Sequence, residues 1–315
     1  MPGLTALAID LGGSHFACAV VRDGVVLASN SLPADGTSSL AALLPSIQKT
    51  LSQLLVDTHI PLSDCSAVVL GFPGVVSARE KRVLATNEKF NDATQLNLNS
   101  WFQQAFGLPF LLENDARLAL LGECRFGAAC GAHDAVMITL GSGIGGAAML
   151  NGQLLQSQHG LAGTIGGHIP ITLNGRLCTC GNRGCAEAEG STTFLPEIYR
   201  QQIGGDKGEL GNSQTIGFAE LFRAIESGDK PAIAALQHCL RVWSVLTVAL
   251  IHAYDPEVVV FGGAVLKRAN DILPHLQEYV AKHAWTPGRT VPLRAAALGS
   301  DAALLGAIQL MEYSL

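Results

Sequence analysis

Charge is scarce in this sequence. Of its 315 residues only 15% are charged, the formal net charge is −6, and no block of Lys or Arg interrupts it. That excludes the usual electrostatic footprints of nucleic-acid or anionic-membrane binding. No apolar run is read as long enough to span a bilayer, and Met1-Pro2-Gly3-Leu4 lacks a basic leader with a cleavage site. A cytoplasmic protein with no nucleic-acid and no membrane partner is therefore expected. A linker of the Pro/Ser type is missing too. The length suggests two domains joined by short crossings, with the cleft between them as the natural ligand site. Hydrophobic residues make up 48%, enough for globular cores.

Cysteine is present, but five of the eight (Cys18, Cys65, Cys124, Cys130, Cys239) are scattered among apolar neighbours and read as reduced core thiols. The other three cluster. His168, Cys178, Cys180 and Cys185 fall within 18 residues. Three thiolates and a neutral imidazole make a closed tetrahedral shell for zinc, with no open position for chemistry. Gly181 and Gly184 allow the tight turns this needs. A loop disulfide is the competing reading, but it would leave one thiol unpaired. The metal's job would be structural: to fix the loop that carries His168 and Glu187.

Residues 4–10 read as a buried strand ending in Asp10-Leu11-Gly12-Gly13-Ser14, followed by strands at 16–21 and 25–29 around Arg22-Asp23-Gly24. The glycines thus open a hairpin. A P-loop or dinucleotide fingerprint would have them open a helix. Helical spacing covers 38–55, 97–106 and 116–123, with strands at 67–70 and 109–112. The second of these delivers Glu113-Asn114-Asp115 to a strand's carboxyl end, where α/β proteins bind ligands. Asn114 or Asp115 would also cap the following helix. Strand, glycine turn, strand, turn and strand then recur at 134–155, through Gly141-Ser142-Gly143-Ile144-Gly145-Gly146 and Asn151-Gly152. This is an internal repeat made by two similar domains. Helices at 193–202, 218–227, 231–254, 272–282 and 301–312, strands at 258–261 and 293–297, and a polar, glycine-rich loop at 204–211 complete the reading.

Taken in order, these motifs resemble the repressor–ORF–kinase (ROK) family of sugar kinases, within the actin-like ATPase superfamily. The resemblance covers essentially the whole chain. It rests on Asp10 to Ser14, Gly71-Phe72-Pro73-Gly74, Asn87, Glu113-Asn114-Asp115-Ala116, Gly141 to Gly145, and Gly262-Gly263. The most specific piece is Cys178-x-Cys180-Gly-x-x-Gly-Cys185-x-Glu187 with His168. The resemblance implies two actin-like (ribonuclease H-like) α/β domains, with mixed sheets flanked by helices and the active site in the interdomain cleft. Residues 1–113 with 301–315 would form the small domain and 114–300 the large one. It implies Asp115 as general base, and Gly74, Asn87, Asn114, Asp115, His168 and Glu187 around a sugar. Gly12, Gly13, Ser14, Gly141, Ser142 and Gly143 would lie near the ATP phosphates, Asp10 at Mg²⁺, and Gly262 with Gly263 at the adenosine. A homodimer is implied as well.

The sequence departs from the family where Ala-Gly-Glu-x-Gly-His is usual. Here it runs Ala162-Gly163-Thr164-Ile165-Gly166-Gly167-His168, without the glutamate. In family kinases that carboxylate binds hydroxyls near the anomeric end of the sugar. Three readings follow: an ATP-dependent kinase for a hexose or N-acetylhexosamine, a sugar-responsive regulator, and a sugar binder without turnover. Regulators of the family carry a winged-helix domain ahead of the first strand, and only Met1-Pro2-Gly3 precede it here. The survival of Asp10, Asp115 and both glycine turns favours the kinase.

Overall fold

The computed structural model describes residues 3–12, 15–34, 39–86, 89–164, 166–203, 208, 210 and 215–314. By contacts the chain divides into unit 1 (1–132, 153–164 and 297–315) and unit 2 (133–152 and 165–296).

Unit 1 is built on a mixed sheet. Its strands are β1 (Thr5–Leu11), β2 (His15–Arg22), β3 (Val25–Pro33), β4 (Ala67–Phe72) and, after a two-stranded ribbon of β5 (Gly74–Ser77) and β6 (Arg82–Thr86), β7 (Phe110–Asn114). The order is β3-β2-β1-β4-β7. The first two pairings are antiparallel, and β1–β4 and β4–β7 are parallel. Asp23 and Gly24 both have positive φ, 50° and 81°, which matches a type I′ turn to the twist of β2 and β3. The parallel crossovers use α1 (Leu40–Thr58) and α2 (Leu98–Phe106). Leu7, Ile9, Val68, Leu70, Ile47 and Leu51 form the core, with Phe102 stacked on Phe110 at 4.6 Å between ring centroids. The ribbon escapes the sequence reading because it is short and only Val76 and Val83 are buried.

Helix α3 (Asp115–Phe126) also belongs to unit 1, so the division falls after residue 132, not at the 113/114 boundary drawn from the sequence. The reason is α9 (Ala302–Ser314), which lies backbone to backbone against α3. A Cβ at Gly306 would sit 1.9 Å from the Leu118 carbonyl oxygen, and one at Gly122 2.1 Å from that of Ala302. Buried Glu123 ties in the segment before α9: it accepts the amides of Ala128 (2.7 Å), Ala297 (3.0 Å) and Leu298 (2.9 Å).

Unit 2 repeats the plan. Its sheet, β9-β8-β11-β12, comprises β8 (Ala135–Leu140), β9 (Ile144–Leu150), β11 (Val258–Gly262) and β12 (Leu293–Ala295), while the short β10 (Gln153–Leu154) that follows β9 in the chain falls in unit 1. Again an antiparallel hairpin is extended by two parallel strands. Asn151 and Gly152 (φ 52° and 73°) turn as Asp23 and Gly24 do. The helices are α4 (Ala186–Gly190), α5 (Leu195–Gln202), α6 (Phe218–Glu226), α7 (Lys230–Tyr254) and α8 (Ala269–His283). Contrary to the sequence reading, α7 does have the length and apolar composition to cross a membrane. It is a core helix: Trp243 and Thr247 are fully buried, and the Trp243 indole donates to the Gly190 carbonyl at 2.9 Å. Asp229 caps it through the Ala232 amide at 2.7 Å. The expected loop at 204–211 lies outside the described residues except for 208 and 210.

Of the five scattered cysteines, Cys18, Cys65 and Cys239 are buried and Cys124 is half-buried. Cys130 is exposed, a correction to its reading as a core thiol. It sits in the turn after α3, where apolar neighbours in sequence do not become neighbours in a core.

Candidate active site

The parallel pairings of unit 1 bring three carboxyl strand ends side by side. Asp10 of β1 pairs with Gly71 of β4, and Gly71 and Phe72 pair with Glu113 and Asn114 of β7. Asn114 is both the last residue of β7 and the cap of α3. Its Oδ1 accepts the Arg117 amide at 3.2 Å, while its Nδ2 donates to the Gly74 carbonyl at 3.1 Å and to Asp115 Oδ1 at 2.9 Å. Asp115 Oδ1 also takes the Ala116 amide at 2.8 Å. Both of these hydrogen bonds fall on Oδ1. The carboxyl is thus aimed.

Two carboxyls share this spot, and both are held above their ordinary range. Burial pushes Asp10 up to about 7, helped by the negative charge of Asp115. Burial likewise pushes Asp115 up to about 6, against the opposing pull of the Ala116 amide and the Lys89 ammonium. A poised base near neutral pH is what proton abstraction from an alcohol needs. A hydrated divalent cation at Asp10 fits the same chemistry, because it would offset the mutual repulsion of the two carboxylates.

Behind Asp115 lies a buried ion pair that the sequence reading passed over. Arg117 is 2% exposed and Glu113 not at all, and their closest approach is 3.1 Å. Arg117 Nη2 also reaches the carbonyls of Leu155 (2.9 Å) and Ala162 (2.6 Å), and Gln156 donates to Glu113 at 3.2 Å. The i,i+4 spacing of Glu113 and Arg117 was the available signal.

Thr164 stands where the family's glutamate is expected when counted from Ala162. Its hydroxyl is directed at its own turn, toward the carbonyls of Leu161 (3.1 Å) and Gly160 (3.4 Å). Ile165 lies outside the described residues, as do Gly13, Ser14 and Asn87. Gly12 is described, and its amide donates to the His15 carbonyl at 2.8 Å, closing the hairpin turn.

In unit 2 the two glycine turns meet. Gly263, at φ 93°, passes so close to β8 that a Cβ would lie 2.1 Å from the Leu140 carbonyl oxygen. Gly262-Gly263 therefore abuts the start of Gly141-Ser142-Gly143. The amide of Gly141 donates to the Gly143 carbonyl at 3.0 Å, and Thr193 fastens the turn through its hydroxyl on the Ser142 carbonyl at 2.7 Å. Like Gly12, Gly141 spends its amide on shaping its turn. A Cβ at Gly143 would strike the Glu187 carboxylate at 2.4 Å. Glu187, buried at the start of α4, accepts the Ile144 amide at 3.0 Å and the Thr179 hydroxyl at 3.3 Å. It thereby joins the glycine turn to the cysteine loop.

The ligand atoms of His168, Cys178, Cys180 and Cys185 all lie within 4.8 Å of one another. The Cys180 and Cys185 sulfurs are 3.7 Å apart, and Cys178 Sγ is 3.5 Å from His168 Nδ1. A tetrahedron with Zn–S of about 2.3 Å and Zn–N of about 2.0–2.1 Å has edges of about 3.8 and 3.5 Å. The residues fit zinc, with Nδ1 as the imidazole ligand. Gly181 and Gly184 take the positive φ values (86° and 72°) that the turns require, and Gly184 packs where a Cβ would meet the Thr172 carbonyl oxygen at 1.9 Å. The loop is moored elsewhere as well: the Arg176 guanidinium pairs with buried Glu189, and His238 Nε2 lies 3.0 Å from the Glu189 carbonyl oxygen.

A model of the ROK family matches residues 6–313. The chain is 30% identical over 322 aligned positions to a glucokinase of Thermotoga maritima, covering 99% of this chain and 98% of that one. It is 29% identical to an N-acetylmannosamine kinase of Escherichia fergusonii, covering 98% and 99%. It superposes on a ROK family glucokinase from Streptomyces griseus, solved in complex with glucose and AMPPNP, with a TM-score of 0.80 at 26% identity over 97% and 98% of the two chains. The chain belongs to the ROK family, and its α/β architecture is that of the family's kinases.

Proposed function

We propose that this protein is an ATP-dependent sugar kinase that phosphorylates a hexose or N-acetylhexosamine, at the 6-hydroxyl, with Asp115 as general base. One observation carries the reading: a carboxyl fixed at the head of α3, its Oδ1 held by Asn114 and Ala116, and its pKa raised to about 6. The glucokinase and N-acetylmannosamine kinase relatives support it.

In the proposed step, Asp115 Oδ2 accepts the proton of the sugar hydroxyl as its oxygen attacks the γ-phosphorus of ATP. The bond from that phosphorus to the bridging oxygen breaks, and ADP leaves with the electron pair. Such transfers need positioning and charge neutralisation more than covalent help. The base contributes ~10²–10⁴-fold. Asn114 holds Asp115 and, with Gly74, Asn87, His168 and Glu187, holds the sugar. Gly12, Gly13, Ser14, Gly141, Ser142 and Gly143 shape the phosphate site, and Gly262 with Gly263 the adenosine site. Asp10 would hold Mg²⁺, which supplies charge neutralisation on the phosphates. His168, Cys178, Cys180 and Cys185 would hold a structural zinc that keeps Glu187 in place.

The sugar preference follows from Thr164. A charged acceptor contributes roughly 1.5–3 kcal/mol, and a hydroxyl directed at its own turn does not replace it. The reading is a hexokinase-like enzyme tolerant of change at carbon 2. A coupled assay of ATP consumption with glucose, mannose and their 2-acetamido forms tests it. Turnover with kcat/KM values within about a thousandfold of one another is expected. Tighter discrimination would mean another group has replaced the glutamate, and no turnover with any sugar would favour the second reading, a sugar binder. That alternative draws on the same missing carboxylate.

A further inference from the structure

Arg117 has no part in the mechanism above, yet it is the most heavily engaged buried cation near the base. Its guanidinium joins three stretches that are distant in sequence. Nη1 meets Glu113 Oε1 at the end of β7, and Nη2 meets the carbonyls of Leu155 and Ala162. Glu113 Oε1 also accepts the Asn114 amide at 2.9 Å. From Asn114 the contacts continue to Asp115 Oδ1 and the Gly74 carbonyl.

Stability alone does not account for such a pair. Taking both charges out of water costs several kcal/mol, and apolar replacements of equal size are often neutral or stabilising. The pair is also incomplete: Arg117 Nε is buried and, among the described residues, has no partner. What the pair does secure is geometry. Ala162 lies two residues before Thr164, so Arg117 fixes the strand of chain that ends where the family's glutamate would stand. At the same time its carboxylate partner braces the residue that aims the base.

We propose that Arg117 is a positioning residue: acting through Glu113 and Asn114, it sets the orientation of Asp115 together with the placement of residues 155–164. The proposal rests on the reading of Asp115 as the base. A misplacement of about 1 Å at a reacting group can cost on the order of 10²-fold. Arg117→Met should therefore lower kcat by roughly 10- to 100-fold. KM for ATP should stay within about twofold, because among the described residues the hydrogen bonds of Arg117 go to Glu113, Asn114, Leu155 and Ala162 and none to a glycine turn.

The test is steady-state kinetics and thermal melting of Arg117→Met, Glu113→Gln/Arg117→Met and Arg117→Lys, beside Asp115→Asn. The double variant removes both buried charges and should regain melting temperature over the single one while kcat stays low. If its kcat returns to the wild-type value, the pair serves stability only and the proposal is overturned. Arg117→Lys keeps the charge but cannot span two carbonyls and a carboxylate. It carries the test should the methionine variants not fold. A several-fold lower kcat with unchanged KM for ATP supports positioning, and an unchanged kcat overturns it. Asp115→Asn separates the two ideas. If it retains turnover, the base lies elsewhere and the underlying reading has failed. If it is inactive while the Arg117 variants turn over normally, only this proposal has failed.

Discussion

Replacing Asp115 by Asn should make the protein more stable at alkaline pH while nearly abolishing its turnover. The carboxyl titrates at about 6 in the folded chain against an ordinary 3.8, and burial is the chief cause. A carboxylate raised in this way binds its proton more tightly folded than unfolded, so the wild type loses stability as pH climbs from about 4 through about 6. At about 1.4 kcal/mol per pH unit of displacement, the loss approaches 3 kcal/mol for a dry site. Solvent reaches this half-buried group, so between about 1 and 3 kcal/mol is expected. Asn keeps an oxygen for the Asn114 and Ala116 donors, so the cap survives and the ionisation cost disappears. Removing the charge also relieves Asp10. Urea unfolding of both proteins at pH 4.5 and pH 8, without Mg²⁺ or nucleotide, measures the difference. The variant should gain on the wild type between the two pH values, and its kcat should fall by ~10²-fold or more. A stability difference that is the same at both pH values, or a variant that turns over normally, would refute the argument.

Elemental analysis should find one zinc per chain, and a chelator should lower the melting temperature and open the 168–187 loop to protease, since forming such a site is coupled to folding; protein purified without stoichiometric zinc would contradict this. Glu123→Ala strands three amide donors and should cost roughly 3 kcal/mol or more, with Glu123→Gln milder, as read from urea midpoints. Gly306→Ala drives a methyl into the Leu118 carbonyl and should cost about 1–3 kcal/mol or more by the same measurement; a neutral effect would mean that α3 and α9 can part without cost. The wild-type kcat should fall about tenfold per pH unit below about 6, because the protonated base cannot accept the sugar's proton, and a profile flat from pH 5 to 8 would argue against a base titrating there.

What the sequence by itself determined was local or periodic. The alternation and glycine turns of 4–29 and 134–155 gave two hairpins, and Asp23-Gly24 and Asn151-Gly152 turn because only such residues tolerate paired positive φ. Asn97, Asn114 and Asp229 cap helices as their residue types favour. The four zinc-fitting side chains were legible because they are close in the chain. Tertiary structure decided the rest. Asp10 and Asp115 are 105 positions apart, and only the parallel register of β1, β4 and β7 makes them neighbours; burial there raises both pKa values, and the Asp115 charge raises that of Asp10 further. The placement of α3 in unit 1 depends on glycines at 122 and 306 meeting across two helices. The exposure of Cys130 and the engagement of Arg117 with Leu155 and Ala162 likewise follow from long-range packing. Backbone turns and caps are set by neighbours within a few residues. Burial, and the electrostatics it amplifies, are set by whatever the fold brings from far along the chain.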